Sequence, residues 1–203
     1  MMIKNILPLT ERKMKILLAL YLWGNLHNNR ISEITGIDKQ NVSLHMKQFK
    51  KEHIVNVHQK LGKIVEFRLN RIIVNILSSL LESYRKETLF LKYPVLEMVF
   101  QYIIREVNSI KKIYVIGSYA QETAIKKSDI DLLIVSEKMT SSQAKKLSDE
   151  IFRLYHAKAD IIIYTSASLN KEEKSNSRFY QTTFSHKKDH VLLFDKNRHA
   201  IKK

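Results

Sequence analysis

Ile116-Gly117-Ser118-Tyr119-Ala120-Gln121-Glu122-Thr123-Ala124-Ile125-Lys126-Lys127-Ser128-Asp129-Ile130-Asp131-Leu132-Leu133-Ile134-Val135 is the stretch that decides the fold. It begins at the end of a short apolar run over 113–116 and finishes in a second run over 131–135, both of the buried-strand type. Asp129 and Asp131 stand two apart at the mouth of the second strand. Successive strand side chains alternate faces, so the two carboxylates share one side while Ile130 takes the other. Like charges held this close repel strongly in apolar surroundings. A hard divalent cation relieves that repulsion, and Mg²⁺ (or Mn²⁺) suits a site of one or two carboxylates completed by substrate phosphates. Gly117 and Ser118 follow a strand and should open a helix or turn, where glycine lets a backbone approach closely and free N–H groups can meet phosphate oxygens. Lys126 and Lys127 precede the acidic pair as point charges for a triphosphate.

Outward from this stretch the C-terminal half reads as α/β. A helix over 142–155 presents Ala144, Leu147, Ile151 and Leu154 inward, and a third strand over 160–164 opens on Asp160. If that strand lies beside the second, a third carboxylate joins the pair. Two metals shared among Asp129, Asp131 and Asp160 would then clamp an in-line displacement at phosphorus. A lone Asp-x-Asp could equally be a capping loop. Gly-Ser at this distance, a strand on either side and Asp160 together favour a metal–nucleotide pocket. Residues 166–189 are polar and carry no assignable pattern, and 190–194 reads as a last strand.

These residues resemble the signature of the polymerase-β-like nucleotidyltransferase superfamily: an apolar run, Gly-Ser, about ten residues, Asp-x-Asp, and a later strand-borne Asp. The resemblance covers roughly residues 95–195 and is nearest to the minimal nucleotidyltransferases, including the antitoxins that partner HEPN toxins. It implies transfer of a nucleoside monophosphate from an NTP to a hydroxyl, with metal on Asp129, Asp131 and Asp160 and phosphate on Gly117 and Ser118. A HEPN-type protein partner is implied in the same way. Two positions depart from the minimal pattern: where Arg-Gly is usual, this chain has Gln121-Glu122. An arginine contact is lost and a negative charge is added near the expected triphosphate. Two readings therefore stay open, an enzyme and a DNA-binding regulator whose nucleotidyltransferase domain is degenerate and senses a nucleotide or grips a partner.

Residues 10–69 read as three helices and a hairpin. Thr10 caps the first helix, Gly24 follows it, a short second helix from Arg30 to Thr35 is ended by Gly36, and Asp38 caps a third running to about residue 53. Val42, Met46 and Phe49 lie on one face of that third helix. Two β-prone runs over 54–57 and 64–69 flank a connection containing Gly62. The segment resembles the winged helix-turn-helix of MarR-like and ArsR-like regulators. The resemblance makes Lys39, Gln40, Asn41, Ser43 and Lys47 the outward set for double-stranded DNA, with Lys60 and Lys63 at the wing tip. Leu44 sits where a polar residue is common. His45, His53 and His58 show no metal-ligand spacing.

The predicted class is α+β: an N-terminal winged helix-turn-helix over 1–70, a helical linker or dimerisation helix over 71–93, and an α/β nucleotidyltransferase domain with a small mixed sheet over 94–203. Ile72, Ile73, Ile76, Leu77, Leu80 and Leu81 form an apolar stripe suited to a homodimer contact, since winged-helix proteins usually bind paired half-sites. Pro94 starts a second helix with Leu96, Val99, Ile103 and Val107 on one side. The 203 residues include 35 Lys and Arg against 20 Asp and Glu, a formal charge of +15 that suits a polyanionic partner. Residues 1–70 hold twelve of these basic residues against five acidic ones. The chain has no cysteine, which excludes disulfides, Cys-ligated zinc and thiol nucleophiles and suits a reducing cytoplasm. The N-terminus lacks a signal-peptide pattern, and the apolar run over 16–23 is far short of the ~20 residues a bilayer span needs, so no membrane association is expected.

Overall fold

The computed structural model describes residues 8–59 and 64–199. The chain divides into two compact units, Met1–Tyr84 and Arg85–Lys203.

In the first unit, the Thr10 hydroxyl accepts from Lys13 N and starts α1 (Glu11–Trp23). α2 (Asn28–Thr35) begins two residues before the sequence pattern predicts. The reason is an unusual cap: His27 Nδ1 accepts from Arg30 N at 3.3 Å. The Asp38 carboxylate accepts from the N–H groups of Gln40 and Asn41 and starts α3 (Lys39–Lys51). β1 (Val55–Gln59) and β2 (Val65–Leu69) pair antiparallel from Val55 opposite Leu69 to Gln59 opposite Val65. Ile16, Leu17, Ile31, Met46 and Phe49 are sealed in the core between these helices and the ribbon. Three helices followed by a two-stranded ribbon are the winged-helix arrangement expected.

The boundary between the units falls inside α4 (Arg71–Lys92). Its apolar stripe is two adjacent rows. Ile73, Leu77 and Leu81 are buried in the first core, while Ile72, Ile76 and Leu80 are 43–54% exposed. Further along, Leu89 and Phe90 enter the second core. The helix expected over 71–93 thus contributes apolar side chains to both cores.

In the second unit, α5 (Pro94–Glu106) is followed by β3 (Ile110–Ile116), the short α6 (Gly117–Ala120) and β4 (Ile130–Ser136). Then come α7 (Ser141–Tyr155), β5 (Ala159–Tyr164), α8 (Ser166–Lys174), α9 (Arg178–Phe184), β6 (His190–Asp195) and α10 (Lys196–His199). The sheet order is β5-β4-β3-β6. β3 runs antiparallel to both β4 and β6, while β4 and β5 are parallel, so the sheet is mixed as expected. The parallel pair follows from α7, whose length lets the chain return to the same end before β5 starts. Leu147 and Ile151 on α7 are buried, each contributing roughly 1.5–3 kcal/mol. Leu154, expected inward, is 44% exposed; Tyr155 packs instead, edge-on to Tyr102 at 5.8 Å.

The segment 166–189 that showed no pattern holds α8 and α9. Each is under three turns long, too short for a stripe to register. Thr165 and Ser177 cap them, and aromatic contacts hold them: Phe179 on Tyr164 at 5.3 Å and Phe184 on Tyr114 at 5.3 Å. Among the described residues, no helix is long and apolar enough to cross a membrane.

Candidate active site

The site lies where β3 ends and β4 and β5 begin. β4 and β5 pair in register, Ile130 beside Ala159 and Asp131 beside Asp160. Register partners in a parallel pair project to the same face, so Asp131 and Asp160 are neighbours on one side of the sheet. Asp129, two residues before Asp131, belongs to that side as well. Lys158 stands one residue before β5, and its carbonyl accepts from Ile130 N at 2.8 Å. Its ammonium donates to Asp129 Oδ2 at 2.5 Å. Asp-x-Asp on one strand therefore meets Lys-x-Asp on the next. Lys158 was missed in the sequence, although its two-residue spacing from Asp160 was the available signal.

Asp131 is half-buried, and its carboxyl is pushed above the ordinary aspartate range. Burial is the first cause; the like charges of Asp160 and then Asp129 add to it, and Lys158 opposes them. Lys158 is held above the usual lysine range by its hydrogen bond to Asp129, with Asp160 and Asp131 adding smaller attractions.

Gly117 opens α6 in the left-handed region at φ 66. A Cβ there would overlap the Asp131 carboxylate, so the glycine backbone lies directly against that side chain. Ser118 is half-buried, and its carbonyl accepts from Thr123 N and Ala124 N at 2.9 and 3.2 Å. Lys126 and Lys127 are exposed on the loop before Asp129, which is closed by Ile125 N donating to Ser128 Oγ.

The two positions that depart from the minimal pattern have definite partners. Gln121 Nε2 donates to Asp189 Oδ1 at 3.0 Å. Glu122 occupies a left-handed conformation, φ 59, which a glycine would adopt without strain. Its carboxylate is 3.3 Å from Lys92 Nζ. An arginine does reach the end of α6, from α4: buried Arg85 donates to the carbonyls of Ala120, Lys187, Lys188 and His190 at 2.5–2.9 Å.

The three carboxylates offer the hard oxygen donors that a divalent ion prefers, on a face where the missing side chain of Gly117 makes way for Asp131. They do not yet form a closed coordination group. Among the described residues, no set of three or more His, Asp or Glu side chains converges closely enough to hold a metal. Asp129 is turned to Lys158.

On the first unit, Lys39, Gln40 and Lys47 are exposed along α3, while Asn41 and Ser43 are half-buried. The Asn41 side-chain amide donates to Asp38 Oδ2, so it is partly engaged within the helix cap. Leu44 is 64% exposed on the same helix. A groove of about 520 Å³ between α3 and the ribbon is lined by His27, Ser43, Lys47, Lys50, Val57 and Val65. Lys60 and Lys63, expected at the wing tip, lie outside the described residues.

Residues 97–190 match the family model described as a nucleotidyltransferase domain. No curated protein matches the chain. Among solved structures, a putative nucleotidyltransferase from Sulfolobus solfataricus is similar at 16% identity and TM-score 0.35, over 58% of this chain and 89% of that one. A crystal structure described as a toxin-antitoxin with AMP-PNP is similar at 16% identity and TM-score 0.37, over 50% and 73%. A predicted DNA-binding transcriptional regulator from E. coli is similar at 17% identity and TM-score 0.34, over 38% and 79%.

Proposed function

We propose metal-dependent transfer of a nucleoside monophosphate from an NTP to a hydroxyl acceptor, a reading supported by the match of residues 97–190 to a nucleotidyltransferase-domain model. The observation that carries this reading is the in-register pairing of Asp131 with Asp160, with Asp129 on the same side and the Gly117 backbone against Asp131. In this reading Asp129, Asp131 and Asp160 hold Mg²⁺ or Mn²⁺. The bound metal supplies charge neutralisation at the triphosphate and lowers the pKa of an acceptor hydroxyl. Gly117 and Ser118 position the phosphates, and Lys126 and Lys127 supply mobile positive charge beside them. The half-buried face keeps Asp131 away from bulk water, where its charge would be screened. The test is transfer of label from each α-³²P NTP with Mg²⁺ to cell extract, comparing wild type with Asp131→Asn. Label incorporated by the wild type and lost in the variant supports the reading; equal incorporation by both sinks it.

The first unit is the DNA-binding part of the same proposal. Exposed Lys39, Gln40 and Lys47 on α3 suit phosphate and base-edge contacts, with Asn41 and Ser43 at the margin and Lys60 and Lys63 assigned to the wing. A homodimer would use exposed Ile72, Ile76 and Leu80, and sedimentation of Ile76→Glu as a monomer against a wild-type dimer is its check. A HEPN-type partner is a further part of the proposal, read out by co-purification from the source cell.

A second reading, a DNA-binding regulator with a degenerate nucleotidyltransferase domain, is favoured by one observation. The Lys158 ammonium already neutralises the carboxylate of Asp129. Absence of label transfer with retained nucleotide binding would select it.

A further inference from the structure

The acidic face at the start of β4 and β5 carries a cation of its own. The backbone hydrogen bond from Ile130 N to the Lys158 carbonyl fixes the base of that side chain beside β4. The strand register then places Lys158 next to Asp129 as Asp160 is next to Asp131. The ammonium is in contact with Asp129 and feels both other carboxylates. The pair is open to solvent: the Lys158 side chain is 62% exposed and that of Asp129 is 36% exposed. A pair this exposed is worth little to folding and is easily opened. An open pair next to half-buried Asp131 is suited to exchange with a stronger cation.

We propose that Lys158 is the resident counter-cation of this face, displaced from Asp129 when a divalent metal binds, so that it sets the metal concentration at which the site fills. The proposal rests on the metal–nucleotide reading given above. Its physical basis is competition. A divalent ion must break the Lys158–Asp129 contact and then coexist with a displaced ammonium still tethered nearby. One positive charge at this distance, under near-aqueous screening, corresponds to roughly tenfold in metal affinity. With Lys158 in place, part of the repulsion among the carboxylates is offset without metal. Once metal is bound, the freed ammonium lies at the edge of the pocket.

The experiment is titration of the full chain with Mn²⁺ alone, followed by the free-ion paramagnetic resonance signal, for wild type, Lys158→Met, Lys158→Arg and Asp131→Asn. Circular dichroism confirms that each variant is folded. The expected result is Mn²⁺ bound roughly tenfold more tightly by Lys158→Met, little change in Lys158→Arg, and strong weakening in Asp131→Asn. If Lys158→Met binds Mn²⁺ equally or more weakly while Asp131→Asn still weakens it, the proposal is overturned and the metal site stands. If Asp131→Asn has no effect, or no variant binds Mn²⁺, both the proposal and the reading beneath it fall.

Discussion

The outer face of α3 and the mouth of β4 and β5 are both polar and both candidates for function, yet they are built in opposite ways. On α3 the side chains of Lys39, Gln40 and Lys47 are exposed and largely independent of one another. At the strand mouth groups are set by one another: Gly117 by Asp131, and the end of α6 by Arg85. The difference teaches what a substitution costs. On a solvated helix face it removes one contact. In an interlocked cluster it also strands the partner, and leaving a buried polar group unsatisfied costs more than the hydrogen bond itself was worth.

Four substitutions, one of them with a comparator, test that contrast from the largest expected effect to the smallest. Arg85→Met removes one buried donor shared by four carbonyls and should destabilise the second unit by about 3–5 kcal/mol, measured by urea unfolding. A loss under about 1 kcal/mol would mean that the cluster is not interlocked. Gly117→Ala forces a Cβ into the Asp131 carboxylate at a left-handed φ and should cost about 2–4 kcal/mol as well as activity. Its comparator is Gly36→Ala, which has a similar left-handed φ but open space around the added Cβ. That variant should lose only about 1–2 kcal/mol, and equal losses would remove the role given to Asp131.

Glu122→Gly works in the other direction. It relieves a left-handed glutamate at the expense of a surface pair with Lys92, so it should stabilise the protein by about 0.5–1 kcal/mol in thermal unfolding. A destabilised variant would show that the Glu122 contact matters more than its backbone strain. Lys47→Ala, on the independent face, should change stability by less than about 0.5 kcal/mol. It should lower the slope of log DNA affinity against log salt by about 1, whatever the DNA sequence. A large loss of stability would mean that α3 is as interlocked as the strand mouth.

The two faces also differed in how far they could be read in advance. Local signals placed α1, α3, β4 and α7, because Thr10, Asp38 and the apolar spacing act over a few residues. The candidate carboxylates were legible for the same reason: two-residue spacing at a strand start fixes a shared face. Other features needed contacts between distant segments. His27 is an uncommon cap, and α8 and α9 are too short to show a stripe. Leu154 loses its inward place to Tyr155, which meets Tyr102 from another helix. The α4 stripe divides into a buried row and an exposed row only because the first core takes one side of it.

By itself, then, the sequence determined the order and kind of the main elements, the basic winged-helix segment, and the Gly-Ser and Asp-x-Asp positions, since each depends on short-range periodicity and residue chemistry. Only the tertiary structure decided which groups meet. Asp160 lies beside Asp131 because β5 pairs parallel to β4 in one particular register. Lys158 meets Asp129 through the same register, and Arg85 reaches the end of α6 from a helix more than thirty residues away. Register and helix docking are settled by burial summed over a whole core, a quantity that no local stretch of chain contains.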